Sequence, residues 1–235
     1  MYDAVEQADA VRRIVVQGQR RKYHRFRPAR FYGGVATADC VGCCLRCAFC
    51  WSYREVIGPE TFGRFYTPEQ VADNLVAIAE KKGFSNIRIS GNEPTLAREH
   101  LLQVFARVPS HYRFILETNG ILIGHDPTFA RDLAPFDNLF VRVSFKGTTA
   151  EEFTKLTGAR PENYDLPFKA LTHLREAGVS CRPALMASFS SADHLASFQR
   201  KLAARFPNGE PLEIEALEYY GGVERRIFRK LGSHF

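Results

Sequence analysis

Residues 39–51 read D-C-V-G-C-C-L-R-C-A-F-C-W, and within them Cys43, Cys47 and Cys50 stand at C-x3-C-x2-C. Thiols this close cannot pair as disulfides without severe local strain, but as soft ligands they can wrap one cubic iron–sulfur cluster. Three ligands for four irons leave one iron open. Cys40 adds a fourth thiol, so a second arrangement stands beside the first: Cys40, Cys43, Cys47 and Cys50 closing a saturated iron–sulfur or zinc module with no catalysis. Zinc sites of that type usually separate their two C-x2-C pairs by a dozen or more residues. Here three residues lie between them.

The 235 residues, 45% hydrophobic and 25% charged, suit one soluble domain that buries roughly 70–75% of its unfolded surface. The opening M-Y-D-A-V-E-Q-A-D-A carries acids where a signal peptide needs an apolar core, and no apolar run approaches a membrane span. A cytoplasmic protein is expected. Five of the six cysteines crowd into residues 40–50, which is a poor disulfide framework and a good metal-ligand set in a reducing compartment. Cys181 sits in a strand-like stretch and reads as core. None of the seven histidines (24, 100, 111, 125, 173, 194 and 234) shows ligand spacing, and no catalytic Ser-His-Asp set, phosphate loop or dinucleotide glycine fingerprint is present.

Three regions follow in order. Residues 1–30 hold an N-terminal helix and a basic arm, Q-R-R-K-Y-H-R-F-R-P-A-R at 19–30, read as a solvated stretch whose alternating aromatics also leave nucleic acid as a conceivable partner. Residues 31–220 alternate strand and helix. Strands are expected at 31–38, 86–90, 113–117, 139–145, 179–186 and 212–217. Thr67-Pro68-Glu69-Gln70 opens the first intervening helix with an N-cap, a first-turn proline and a capping box, and Thr149 with Glu152 promises another box. Residues 221–235 form a basic tail. Six strands alternating with helices predict an α/β fold with a parallel sheet, and because a closed eight-unit barrel takes about 250 residues, a partial (β/α)6 TIM-like barrel open on one side.

In such folds ligands gather at the C-terminal ends of the strands. The cysteine loop follows strand one, Gly91-Asn92-Glu93-Pro94 follows strand two, Glu117-Thr118-Asn119-Gly120 follows strand three, and Lys146 ends strand four. All four therefore share one rim.

The three-cysteine spacing, with the aromatic Phe49 before the last cysteine, resembles the radical S-adenosylmethionine (radical SAM) superfamily. The resemblance implies that Cys43, Cys47 and Cys50 hold a [4Fe-4S] cluster whose open iron is chelated by the amino and carboxylate groups of S-adenosylmethionine. It further implies reductive cleavage to methionine and a 5'-deoxyadenosyl radical that abstracts hydrogen from a substrate, with an external one-electron donor such as a ferredoxin or flavodoxin. S-G-N-E-P-T looks like the family's G-G-E-P turn, so Gly91, Glu93 and Pro94 would receive the methionine ammonium. Asn92 replaces the second glycine, and Asn tolerates positive φ better than most residues. Phe49 would lie against the adenine. E-T-N-G, S-F-K-G and L-T-G at 156–158 are closest in look to activases of glycyl-radical enzymes. By that likeness Glu117 helps hold the cofactor and Lys146 pairs with the methionine carboxylate, while Ser144 stands where an acid is usual. A glycyl-radical partner protein and a small anionic metabolite are both open as substrates.

Strand parity carries one further expectation. Stepping back by twos from the rim reaches Arg88, Arg113, Arg142 and Arg182, and Glu213 and Glu215 share that parity on the last strand, so the interior should be charged. Buried charges must be paired or face something charged.

Overall fold

The computed structural model of the chain describes residues 1–209, 211–219 and 222–232; His234 lies outside them. Helix α1 (Ala4–Val15) leads into β1 (Val16–Gln17) and β2 (Arg20–Ala29), and β3 (Val35–Cys40) runs into the cysteine loop. Then come α2 (Tyr53–Ile57), β4 (Arg64–Tyr66), α3 (Pro68–Lys82), β5 (Asn86–Ser90), α4 (Arg98–Arg107), β6 (Arg113–Thr118), α5 (Ile121–His125) and α6 (Pro127–Leu133). The chain continues through β7 (Leu139–Lys146), α7 (Ala150–Thr157), α8 (Leu166–Glu176), β8 (Ser180–Met186), α9 (Ala192–Arg205), β9 (Glu213–Glu215) and α10 (Val223–Leu231).

Strands β3, β5, β6, β7, β8 and β9 pair in that order and all in parallel, with helices in each crossover. These are the six strands expected. The sheet is a partial barrel: among the described residues its ends, β1 and β9, do not meet.

Helix-facing positions are mostly apolar, with Ile87 and Ile89 on β5, Phe114 and Leu116 on β6, and Val141, Val143 and Phe145 on β7 all buried. The capping box at α3 forms as the sequence requires, Thr67 and Gln70 exchanging side-chain to backbone bonds, and Gly83 ends the helix in the left-handed region. At α7 only half the box forms. Thr149 accepts from Glu152 N, but the Glu152 carboxylate turns to Thr148 and to the Ser190 hydroxyl, tying the loop after β7 to the loop after β8.

Two readings need correction. Residues 31–33 form a 3-10 turn with Tyr32 at φ 55°, so the first parallel strand starts at Val35, four residues later than expected. The basic arm is not a free solvated stretch, although Arg20, His24 and Arg25 remain exposed. It is β2, antiparallel to β3 and flanked by β1 and β4, so the sheet crosses the expected boundary at residue 30. Its charges are answered from distant parts of the chain: Arg25 and Arg27 reach Asp39 at 2.7 and 2.8 Å, and Lys22 donates to the carbonyls of Pro59 and Glu60. Pro28 falls where β2 pairs only with β3, so its missing N–H breaks no second ladder.

The interior is charged as parity requires. Arg88 and Arg142 are 4% and 5% exposed. Arg142 holds Glu213 and Glu215 at 2.9 and 2.7 Å, and Arg88 holds Glu117 at 3.0 Å while its Nε donates to Thr37. Arg113 and Arg182 both lie over the Phe140 ring, on the same inner face. No helix among the described residues is long and apolar enough to cross a membrane.

Candidate active site

Three of the four rim segments, the cysteine loop and the turns after β5 and β6, are bonded into one unit. Gly42 N donates to Asn92 Oδ1 at 2.7 Å and Asn92 Nδ2 donates to Ser52 O at 3.3 Å, so the side chain of Asn92 spans the beginning and end of the cysteine loop. Asn92 sits at φ 40°, the left-handed conformation its residue type tolerates. Gly91 at φ 67° brings the turn so close to β3 that an added Cβ would lie 3.0 Å from Asp39 Cβ. Glu93 N donates to Gly42 O, and Asn119 Nδ2 donates to Cys44 Sγ at 3.2 Å and Cys43 Sγ at 3.7 Å.

The Glu93 side chain is turned into the protein. It is 0% exposed. Its Oε1 accepts from Thr95 N, Thr95 Oγ1 and Thr118 Oγ1, and its Oε2 accepts from Asn119 N at 2.8 Å. All four of these donors belong to the protein. Glu93 thereby locks the turn after β5 to the turn after β6.

Cys43 and Cys50 are partly exposed and Cys47 is buried. A hydrogen bond to Cys44 and burial push the Cys43 thiol up; burial, then the neighbouring Cys43, push the Cys50 thiol up to about 12. Burial also raises Cys47, which feels Cys43 and Cys50 as like charges while Lys146 and Lys230 pull the other way. Thiols so placed stay protonated alone and lose their protons to bound iron. Among the described residues no three His, Cys, Asp or Glu side chains gather tightly enough to grip a single ion. Cys43, Cys47 and Cys50 nevertheless lie close enough to feel one another's charge, and three soft sulfur donors on one loop suit an iron–sulfur cluster.

Cys40 belongs to a different network. It is buried against Arg21 and hydrogen-bonded to the Tyr23 hydroxyl, and burial pushes its thiol up to about 12. The Tyr23 hydroxyl meets His100 Nε2 at 3.0 Å, and His100 Nδ1 meets Gln19 O at 2.8 Å. A carbonyl only accepts, so Nδ1 carries the proton, and in the neutral ring Nε2 accepts from the Tyr23 hydroxyl. Burial lowers the imidazole pKa from 6.5 to about 4. Between those values the unfolded chain binds the extra proton, so stability falls as pH drops through that window, by about 3 kcal/mol in all. Urea titrations from pH 7 to pH 4 should show this loss, and His100→Gln should flatten that part of the slope. Parallel profiles for the two proteins would mean the ring is not held neutral.

The remaining residues face the inner side of the rim. The Phe49 ring stacks on Phe189 at 5.4 Å between centroids, and Lys146 Nζ lies 5.8 Å from the Phe49 centroid. Burial would raise the Glu215 carboxyl, but Lys146 and Arg142 beside it hold it below its usual range. Ser144 accepts from Arg142 at 3.4 Å, so a hydroxyl on β7 serves the interior network where the family resemblance places an acid. Glu117 Oε1 accepts from both Tyr32 and Arg88. The L-T-G segment ends α7: Gly158 takes the left-handed cap and Thr157 bonds back to Phe153 O. Sequence reasoning missed Phe189, Asn119 and Arg226. Only Asn119, inside the quoted T-N-G, carried any signal. Two surface clefts, one around Val108, Pro109 and Asn138 and one between α8 and α9, share no residue with the rim.

Residues 39–187 match the family model for the radical SAM superfamily. A probable GTP 3',8-cyclase from Thermoplasma volcanium is 29% identical over 140 residues, which cover 59% of this chain and 40% of that protein. Streptococcus suis SuiB bound to S-adenosylmethionine superposes with a TM-score of 0.63 at 18% identity, covering 78% of this chain and 40% of that one. HydG, a maturase of the [FeFe]-hydrogenase, superposes with a TM-score of 0.60 at 13% identity over 94% of this chain and 49% of that one. The chain thus spans about two fifths of the length of the curated relative it matches. With the family model covering the whole rim from Asp39 to β8 and the partial barrel beneath it, the chain belongs to the radical SAM superfamily, whose cofactors are a [4Fe-4S] cluster and S-adenosylmethionine.

Proposed function

We propose that Cys43, Cys47 and Cys50 hold the cluster, that the rim residues hold S-adenosylmethionine beside it, and that the substrate is a small anionic molecule bound over the inner face of the sheet. When bound, the cofactor pair supplies one-electron cleavage of a carbon–sulfur bond and hydrogen-atom abstraction. The chain's own residues supply position. Lys146 offers an ammonium beside Cys47 for the methionine carboxylate, and Phe49 with Phe189 offers an aromatic surface for the adenine. The backbone at Gly91 to Pro94 offers the acceptors for the methionine ammonium. Both hydrogen bonds of Glu117 fall on Oε1 among the described residues, which leaves Oε2 able to accept from a cofactor hydroxyl.

The charge of the inner face carries the substrate reading. Among the described residues Arg25, Arg27, Arg88, Arg113, Arg142 and Lys146 stand there against Asp39, Glu117, Glu213 and Glu215, an excess of cations that favours an anion. The likeness to proteins named GTP 3',8-cyclase agrees, since GTP is a polyanion. The L-T-G segment ends α7 and Thr118 bonds Glu93, so neither by itself favours an activase.

The test is anaerobic reconstitution followed by dithionite and S-adenosylmethionine. 5'-Deoxyadenosine and methionine should appear, and nucleoside triphosphates should raise their rate above the uncoupled level while the neutral nucleosides do not. A loaded cluster that releases no 5'-deoxyadenosine overturns the activity, and acceleration by neutral substrates alone overturns the anionic substrate.

A further inference from the structure

Helix α10 lies in the stretch set apart as a basic tail, yet it is bolted to the cysteine loop. Val223, Ile227 and Leu231, spaced i, i+4 and i+8, are buried and anchor it. Arg226 donates Nε to Ala48 O at 2.6 Å and Nη2 to Cys50 O, and Lys230 Nζ donates to Arg46 O at 3.1 Å. Both cations also lie over the Tyr53 ring, at 4.3 and 4.8 Å from its centroid. The carbonyls they hold bracket Cys47 and include that of Cys50. Two of the four cations on this helix are thereby used within the chain.

The other two are not. Arg225, Phe228 and Arg229 stand at i, i+3 and i+4, on one face, and all three are exposed, Phe228 at 65%. Among the described residues neither arginine has an ion-pair partner, and Glu224 is the one acid on the helix. Arg46, at the edge of the same loop, is exposed as well. A bare aromatic between unpaired cations is a poor solvent face and a good contact for an acidic protein surface.

We infer that the Arg225–Phe228–Arg229 face of α10 is the docking surface for an acidic one-electron carrier protein, a small flavoprotein or iron–sulfur protein, that reduces the cluster. This rests on the reading of Cys43, Cys47 and Cys50 as cluster ligands. The exchange balances simply: the carrier loses one electron, the cluster gains it, and no bond or proton moves. Charge complementarity selects the partner, and the bonds from Arg226 and Lys230 set it against the peptide that carries two of the ligands.

The test uses the full chain with its cluster reconstituted. Cluster bleaching by a reduced acidic ferredoxin is followed by stopped flow in the parent protein, in R225E/R229E and in R225Q/R229Q, with dithionite as a second reductant. With the ferredoxin, charge reversal should slow the second-order rate by roughly tenfold or more at ~50 mM salt, neutralisation by less, and the gap should close near ~0.5 M salt. Dithionite should reduce all three proteins alike. Equal rates and equal salt dependence with the ferredoxin overturn the inference, as does an unchanged ferredoxin rate with lost binding to labelled poly(U), which would assign the face to RNA. A parent chain with no dithionite-reducible cluster overturns the reading beneath it and the inference together.

Discussion

Cys47→Ala should give a folded chain that takes up no stable cluster and cleaves no S-adenosylmethionine, whereas Cys40→Ala should keep both. The contrast follows from where the two thiols spend their bonds. Cys47 shares its electrostatic surroundings with Cys43, Cys50 and Lys146, and removing it leaves two thiolates for a group that needs three. Iron after reconstitution should fall from about four per chain to well below one. Cys40 is held by the Tyr23 hydroxyl in a line that ends at His100 and Gln19, and it faces the guanidinium of Arg21. Its loss opens a small cavity worth about 1–2 kcal/mol of stability and leaves the rim intact. Iron and sulfide content, with paramagnetic resonance of the dithionite-reduced protein, reads both arms. Cluster loss in Cys40→Ala would instead support the saturated four-cysteine module and remove the open iron on which the proposed activity depends.

The rim was legible in the sequence because each of its parts is local. Strand ends, the C-x3-C-x2-C spacing and the Asn at positive φ are all written within a few residues of where they act. The inner-face arginines were legible for a related reason: the pleat alternates strictly, so a rim residue fixes the parity of everything behind it. β2 was not legible. Its charges are neutralised by Asp39 and by carbonyls of Pro59 and Glu60, partners that only the tertiary fold brings near, and without them the run of basic residues looks solvated. The role of α10 was hidden in the same way. Val223, Ile227 and Leu231 signal a buried stripe, but nothing in the pattern says that the stripe packs beside a loop some 175 residues earlier. Glu93 was legible only in part. Its turn is a local motif, but the bonds of its side chain to Thr118 and Asn119 join it to the next strand's turn, which no local pattern announces.

Glu93→Gln tests that last point by separating a structural role from a ligand-binding one. Two of the four donors around the carboxylate are backbone N–H groups, Thr95 N on Oε1 and Asn119 N on Oε2, and neither can reverse its polarity. The two threonine hydroxyls can rotate and accept instead. A glutamine amide placed in either orientation therefore points its NH2 at one of the backbone N–H groups. That leaves a buried donor unpaired, at a cost of about 2–4 kcal/mol, and for a chain of this length roughly 5–15 °C in melting temperature. Glu93→Ala should cost more, about 3–5 kcal/mol, because both N–H groups lose their acceptor and a cavity remains. The loss should appear in the metal-free protein held under anaerobic conditions, with no S-adenosylmethionine present. It should also disturb the cluster, because the turn carrying Asn119 is no longer fixed to the turn carrying Asn92, and these two side chains reach Cys43, Cys44 and the ends of the cysteine loop. A ligand-binding carboxylate predicts the reverse pattern: unchanged melting of the metal-free chain, normal cluster uptake, and weakened cofactor affinity alone. Melting curves of the metal-free parent, Glu93→Gln and Glu93→Ala proteins therefore decide whether this acid builds the rim or touches what binds there.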